Sequence, residues 1–229
     1  MKIVVLLFDR LTALDAIGPY EVLQRLPGGD LVFAAHEPGE KRTETGRLGL
    51  MADVALAAVP EPDVIVVPGG FGTRAVAAHH PTLDWLRHAH EHSTLTTSVC
   101  TGSLVLGAAG LLDGVEATTH WAEMDTLASY GARPTEQRVV ERGRIITAAG
   151  VSSGIDMGLT VLAKLAGDDV ARAIQLGIEY DPQPPFDAGS VAKAGPELVE
   201  LVRAALDAEN DVAAAPSTAE SGEAGRHER

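Results

Sequence analysis

The chain is poor in cysteine. A single thiol, Cys100, stands among 229 residues, which excludes a secreted scaffold stapled by disulfides and a zinc site built from several thiolates. A lone free thiol suits a reducing compartment. Basic residues are short as well: 18 Lys and Arg face 32 Asp and Glu, for a formal charge of −14 and an isoelectric point near 4.9. Phosphate backbones and anionic lipid repel such a chain, so neither nucleic acid nor a membrane surface is expected as a partner. The acidic excess persists without the stretch from Asp207 onward, and a neutral substrate suits it better than an anionic one. Long apolar runs are missing too, since no stretch approaches the roughly 20 residues of a membrane span. The apolar run at residues 3–8 is cut by Asp9 and Arg10 with no small-residue cleavage site after it. It reads as a first strand rather than a signal peptide, and a soluble cytoplasmic protein is the expectation.

What is present is an alternation of strand-like and helix-like runs, the pattern of an α/β fold with helices on both faces of a sheet. Residues 3–8, 63–67 and 94–99 lack the polar alternation of a half-exposed strand, so they are predicted as central parallel strands buried on both faces. Helical patterns fall at residues 17–26, 83–92 and 102–109, and further at 155–165 and 170–176. Additional strands are predicted at 31–35, 117–119, 138–140 and 145–148. The proline-rich segment 181–189 is expected on the surface. A helix over 196–206 follows it. The remainder has few apolar anchors, which predicts one domain over residues 1–208 and a disordered acidic tail over 209–229.

Chemistry concentrates where a strand ends in Cys100, Thr101 and Gly102 and a Leu- and Ala-rich helix begins. This is the layout of a nucleophile elbow, in which a tight strand-to-helix turn lifts the nucleophile out at the carboxyl end of the sheet. A helix N-terminus favours a thiolate there by about 1 kcal/mol. The competing reading is a small buried hydrophobe, a common fate of a free cysteine. The Pro68-Gly69-Gly70 turn after the 63–67 strand offers exposed backbone at the same end of the sheet, and the N–H groups of Gly70 and Thr101 are predicted to hold an oxyanion. A phosphate loop is disfavoured, because its lysine, its hydroxyl and its glycine spacing are all missing. Asp15, just after the first strand, either caps the helix predicted from residue 17 or reaches Cys100. In the second case the two groups share one proton and titrate as a unit.

Other motifs carry less. His88 and His92 fall on one helix face at a spacing that can hold zinc, but no metalloprotease carboxylate pattern accompanies them. They read as a solvated face. His120 is either a pocket residue or a hydrogen-bonded structural histidine. Trp85 and Trp121 are expected to pack rather than stack on bases, with Trp121 also able to wall a pocket.

The Cys100 elbow, the Pro68-Gly69-Gly70 turn and the acidic residue after the first strand together resemble the DJ-1/PfpI superfamily over about residues 1–190. Asp15 with Gly18 and Pro19, and Thr119-His120-Trp121, are similar to its isonitrile hydratase branch. Many relatives place glutamate where this chain has Asp15. The resemblance implies a flavodoxin-like three-layer sandwich and a homodimer, with no cofactor and no metal. It implies that Cys100, Asp15 and Thr101 are catalytic and that Gly70, Gly18, His120 and Trp121 contact the substrate. The expected activity is conversion of a small neutral isonitrile and water into an N-substituted formamide. Asp15 would act as general acid and base and Cys100 would carry a covalent thioimidate. The alternatives are a glyoxalase or protein-deglycase activity, which favours glutamate at position 15 and an engaged His120, and a non-enzymatic cysteine redox sensor. The resemblance also reaches the N-terminal domains of AraC-type regulators; a helix-turn-helix domain of about 100 further residues is not expected within this length.

Overall fold

A computed structural model describes the chain over residues 1–214. Its centre is a seven-stranded sheet built from β1 (Lys2–Leu6), β2 (Asp30–Ala35), β5 (Val54–Ala55), β6 (Val64–Val67), β7 (Leu95–Val99), β10 (Val139–Arg142) and β11 (Ile145–Ala148). A hairpin of β3 (Gly39–Arg42) and β4 (Gly49–Ala52) and a short pair of β8 (Glu116–Ala117) and β9 (Arg133–Pro134) lie outside it. The order across the sheet is β10-β11-β7-β6-β1-β2-β5, parallel throughout except for the β10 edge. Counting β1, β2, β6, β7 and β11 as the parallel set gives 2-1-3-4-5, the flavodoxin-like winding. The chain reverses direction across the sheet between β1 and β6, and in such folds ligands gather outside the carboxyl ends of the strands beside that reversal.

The central strands are buried because helices cover both faces: α1 (Ala13–Leu23), α2 (Thr73–Ala77), α3 (His80–His92), α4 (Gly102–Ala108), α5 (Met124–Ser129), α6 (Ser153–Ala166) and α7 (Asp168–Gly177). Every residue of β6 and β7 is buried. Three of the five residues of β7 nonetheless carry hydroxyls, and two of these are satisfied internally: Thr97 donates to the Ile65 carbonyl at 2.8 Å, and Thr96 meets His90 Nδ1 at 2.8 Å. Threonine's branched side chain fits the pleat as valine would, so the strand forms despite its polarity.

Four of the helices, α1, α3, α6 and α7, start earlier than the sequence pattern suggests. α1 begins at Ala13 rather than near residue 17 and runs through Gly18 and Pro19. Those two form a close contact with α6. A Cβ on Gly18 would lie 3.2 Å from Ile155 Cγ1, and one on Gly154 would lie 3.1 Å from Pro19 Cδ. α8 (Val191–Ala194) and α9 (Pro196–Ala214) complete the described chain. The expected break at 209 falls inside α9, because its alanine-rich end has high helix propensity and read only as small and polar. Residues 215–229, where the rest of the expected tail falls, lie outside the described residues. Among the described residues no helix is long and apolar enough to cross a membrane.

The junction from β7 to α4 depends on Gly102, where an added Cβ would sit 2.1 Å from the Val67 carbonyl oxygen. That neighbour is backbone of the adjacent strand and cannot rotate away. Gly102→Ala is therefore expected to lose at least about 1–3 kcal/mol, the usual scale of overpacking, as a fall in unfolding midpoint in a denaturant titration. An unchanged midpoint would show that the elbow has slack.

Candidate active site

Three strand ends beside the reversal point converge: the segment after β1 that leads into α1, the Pro68-Gly69-Gly70 turn after β6, and Cys100 after β7. Cys100 takes φ +56°, a left-handed conformation that costs a non-glycine residue roughly 1–3 kcal/mol and persists only where its surroundings impose it. Here they do. The Cys100 N–H donates to the carbonyls of Ala148 (3.1 Å) and Ala149 (2.8 Å), and its own carbonyl accepts from the Thr119 hydroxyl at 3.0 Å and the Ser103 hydroxyl at 3.2 Å. Thr119 was legible only as part of a motif with His120. Its role is to pin the elbow.

Asp15 does not cap α1. It is the third residue of that helix, fully buried, and its Oδ2 accepts the Gly69 N–H at 2.9 Å. Oδ1 is buried with no hydrogen-bond partner, and the Cys100 thiol is near enough for the two groups to perturb each other's proton affinity. Burial lifts the Asp15 carboxyl from 3.8 to about 7, against the pull of the Gly69 N–H and Cys100, with Glu44 adding a smaller push upward. Gly69 permits the approach: a Cβ there would stand 2.6 Å from the Thr101 nitrogen and 2.8 Å from Asp15 Oδ2.

The thiolate expected at the helix N-terminus is not the resting form. Burial first, then the Asp15 charge, pushes the Cys100 thiol well above its ordinary range, and the N–H groups of Thr101 and Val151 and the Thr101 hydroxyl only partly offset this. Desolvation of an ion outweighs a dipole contribution of about 1 kcal/mol. Asp15 and Cys100 thus hold one shared proton above neutral pH.

Of the predicted oxyanion pair, only the Thr101 N–H faces the sulfur. The Gly70 N–H is spent on Thr101 Oγ1 at 2.9 Å. The donors that face the sulfur are Thr101 and Val151, and Val151 carried no sequence signal because it lies in the turn after β11, with no motif of its own. Gly18 is buried on α1 against Ile155 and does not line the cleft. Trp121 does not line it either: Arg203 of α9 lies 5.0 Å over its ring. His120 does line the cleft, but its Nδ1 accepts the Ala122 N–H at 3.3 Å, and burial lowers its basicity. The arrangement gives Cys100 no imidazolium partner.

A cleft of about 150 Å³ opens over Cys100 and Thr101. The β3–β4 connection contributes Glu44, which accepts the Thr12 hydroxyl at 2.8 Å. α9 forms the roof with Leu206, Asp207, Glu209 and Asn210, held by Arg74, which donates to Asn210 (2.6 Å) and Glu123 (2.9 Å). Four carboxylates and one guanidinium therefore face the space. Such a lining repels anions.

Comparison with known proteins agrees with this fold. The DJ-1/PfpI family model matches residues 1–164. The chain is 43% identical to an isonitrile hydratase of Pseudomonas putida over 203 residues, 89% of either chain. It is 35% identical to the HTH-type transcriptional regulator CdhR of Pseudomonas aeruginosa over 54% of this chain and only 37% of that one. Among solved structures, a THiJ/PfpI family protein from Pseudomonas syringae superposes with a TM-score of 0.88 at 36% identity, covering 93% of this chain and 88% of that one.

The raised Asp15 carboxyl has a consequence for stability. Between 3.8 and about 7 the folded chain holds a proton that the unfolded chain has released, so stability falls as pH rises through that window and the loss is complete above it. Three units correspond to about 4 kcal/mol. Asp15→Asn is expected to raise the melting temperature over wild type at pH 8 and to leave little difference at pH 4. An equal offset at both pH values would mean that Asp15 is not held neutral by burial.

Proposed function

Because the chain belongs to the DJ-1/PfpI family, we propose that it hydrates isonitriles to N-substituted formamides. The observation that carries the reading is the buried Asp15 carboxyl, its Oδ2 fixed by the Gly69 N–H and its Oδ1 unpartnered, coupled to the Cys100 thiol. An isonitrile is basic at its terminal carbon and becomes electrophilic once that carbon is protonated. Asp15 takes the thiol proton from Cys100 and passes it to the terminal carbon as sulfur attacks the same atom. One S–H bond is exchanged for a C–H and a C–S bond, giving a thioimidate and restoring the carboxylate. Asp15 then accepts a proton from water as its oxygen adds to the thioimidate carbon, and returns that proton to nitrogen. The N–H groups of Thr101 and Val151 stabilise the charge that builds during addition and during departure of sulfur. Collapse breaks the C–S bond, moves the hydroxyl proton back to the thiol, and frees the formamide.

The cleft supports a compact neutral substrate, since about 150 Å³ is the scale of a cavity that holds benzene. The competing activities draw less support. A redox sensor needs an accessible thiol of lowered pKa, whereas Cys100 is buried and raised. A glyoxalase or deglycase reading expects glutamate at position 15 and an engaged His120, and His120 is occupied by Ala122. A homodimer and a cytoplasmic location complete the proposal. Exposed Leu14 with neighbouring Ile17 and Ile178 supports the first, and the free thiol supports the second.

Formamide appearance from a small alkyl isonitrile, followed by proton NMR, tests the activity. Wild type is expected to turn over with a rate that climbs through an apparent pKa of about 7, because a protonated Asp15 cannot accept the thiol proton. Cys100→Ala should make no formamide, and Asp15→Asn should be slower by at least about 10²-fold, the lower range for loss of a general acid-base group. Full turnover in either variant would remove that residue from the chemistry.

A further inference from the structure

At the other end of the sheet, Glu61, His88 and His92 come together. α3 carries the two histidines four residues apart on one face, and the turn before β6 brings Glu61 against both. Glu61 Oε1 lies 3.6 Å from His88 Nε2 and 3.9 Å from His92 Nε2, and the two rings stand 4.6 Å apart. One ligand atom from each residue falls within 4.8 Å of the other two. His92 Nδ1 is 2.9 Å from the His88 carbonyl oxygen. That oxygen can only accept, so Nδ1 carries the hydrogen and Nε2 of the neutral ring presents its lone pair toward Glu61. A backbone carbonyl that fixes the tautomer in this way is the usual outer partner of a metal-bound histidine.

We propose that Glu61, His88 and His92 bind one zinc-like divalent transition ion, with water in the remaining positions. Ligands about 2.0–2.1 Å from a tetrahedral ion stand about 3.3 Å apart, so the existing separations close by a few tenths of an ångström to somewhat more. The side chains can make that move, being 48%, 42% and 56% exposed for His88, His92 and Glu61. Two imidazoles and one carboxylate suit zinc, copper or nickel and discriminate against calcium and magnesium, which require oxygen ligands. The Glu61 segment is already aligned with the helix, because Trp85 of α3 donates its indole N–H to the Val59 carbonyl at 3.2 Å. The sequence showed the histidine pair without a carboxylate partner. Only the fold supplies Glu61.

The site lies ahead of β6 and β7, whereas the cleft opens beyond their far ends; a five-residue strand separates the two levels by about 17 Å. The ion therefore staples a loop to a helix and takes no part in the Cys100 chemistry. An ion bound by the folded form alone raises its stability.

Titration calorimetry with Zn²⁺ alone tests this, using the full chain carrying Cys100→Ala so that the thiol does not compete. The expected result is one ion per chain at micromolar affinity, weakened at least about tenfold by His88→Ala, His92→Ala or Glu61→Gln. Zn²⁺ should raise the melting temperature of the parent and not of these variants, whose melting without metal should match the parent because the replaced side chains are exposed. Absence of saturable binding, or binding unchanged when His88→Ala and His92→Ala are combined, would overturn the proposal.

Discussion

The coupling between the buried Asp15 carboxyl and the Cys100 thiol sets the terms for the rest of the site. Both groups are out of water, where two neighbouring charges cannot coexist cheaply. One proton therefore stays with the pair above neutral pH, and at rest it sits on sulfur, the more basic of the two groups. Such a pair can supply a nucleophile and an acid in the same step, provided that the substrate's reacting atom is itself a base. The terminal carbon of an isonitrile is such an atom. A carbonyl substrate asks instead for donors aimed at an oxygen, and the Gly70 N–H that was expected to help in that role is bound to Thr101 Oγ1.

The fold makes this pair affordable by distributing its costs. The left-handed backbone at Cys100 is held by the paired Ala148 and Ala149 carbonyls on one side and by the Thr119 and Ser103 hydroxyls on the other. The desolvated carboxylate of Asp15 is tied to the Gly69 N–H. Gly69 and Gly102 matter because side chains there would collide with Thr101 and with the Val67 carbonyl respectively. β1, β6 and β7 are adjacent in the sheet, so groups placed just beyond their ends meet without long loops.

Much of this was legible in order along the chain. The apolar or β-branched runs marked the central strands, and the strand–Cys100–Gly102–helix pattern marked the elbow, since both are local. Asp15 was ambiguous because a carboxylate near a helix start caps far more often than it is buried, and only the depth of α1 behind β1 and β6 decides between the two. Val151 and Glu44 gave no signal. The first contributes a backbone N–H, which every residue other than proline has, and the second arrives through a hairpin whose placement is tertiary. Gly18 and Trp121 were assigned to the pocket by their motifs, but Gly18 serves the packing of α1 on α6, and Arg203 covers Trp121. The alanine-rich end of α9 lacks apolar periodicity, and its place over the cleft depends on Arg74 reaching both Asn210 and Glu123.

The central claim is that sulfur becomes covalently attached to the isonitrile carbon while the pair's proton moves to that carbon. Rapid acid quenching of the wild-type protein during turnover, followed by intact and peptide mass spectrometry, observes this directly. The account predicts a transient gain on Cys100 equal to the whole mass of the isonitrile, since the thiol proton is kept in the adduct. Formamide release with Cys100 unmodified at every quench time, under conditions where a synthetic thioimidate survives the quench, would contradict it.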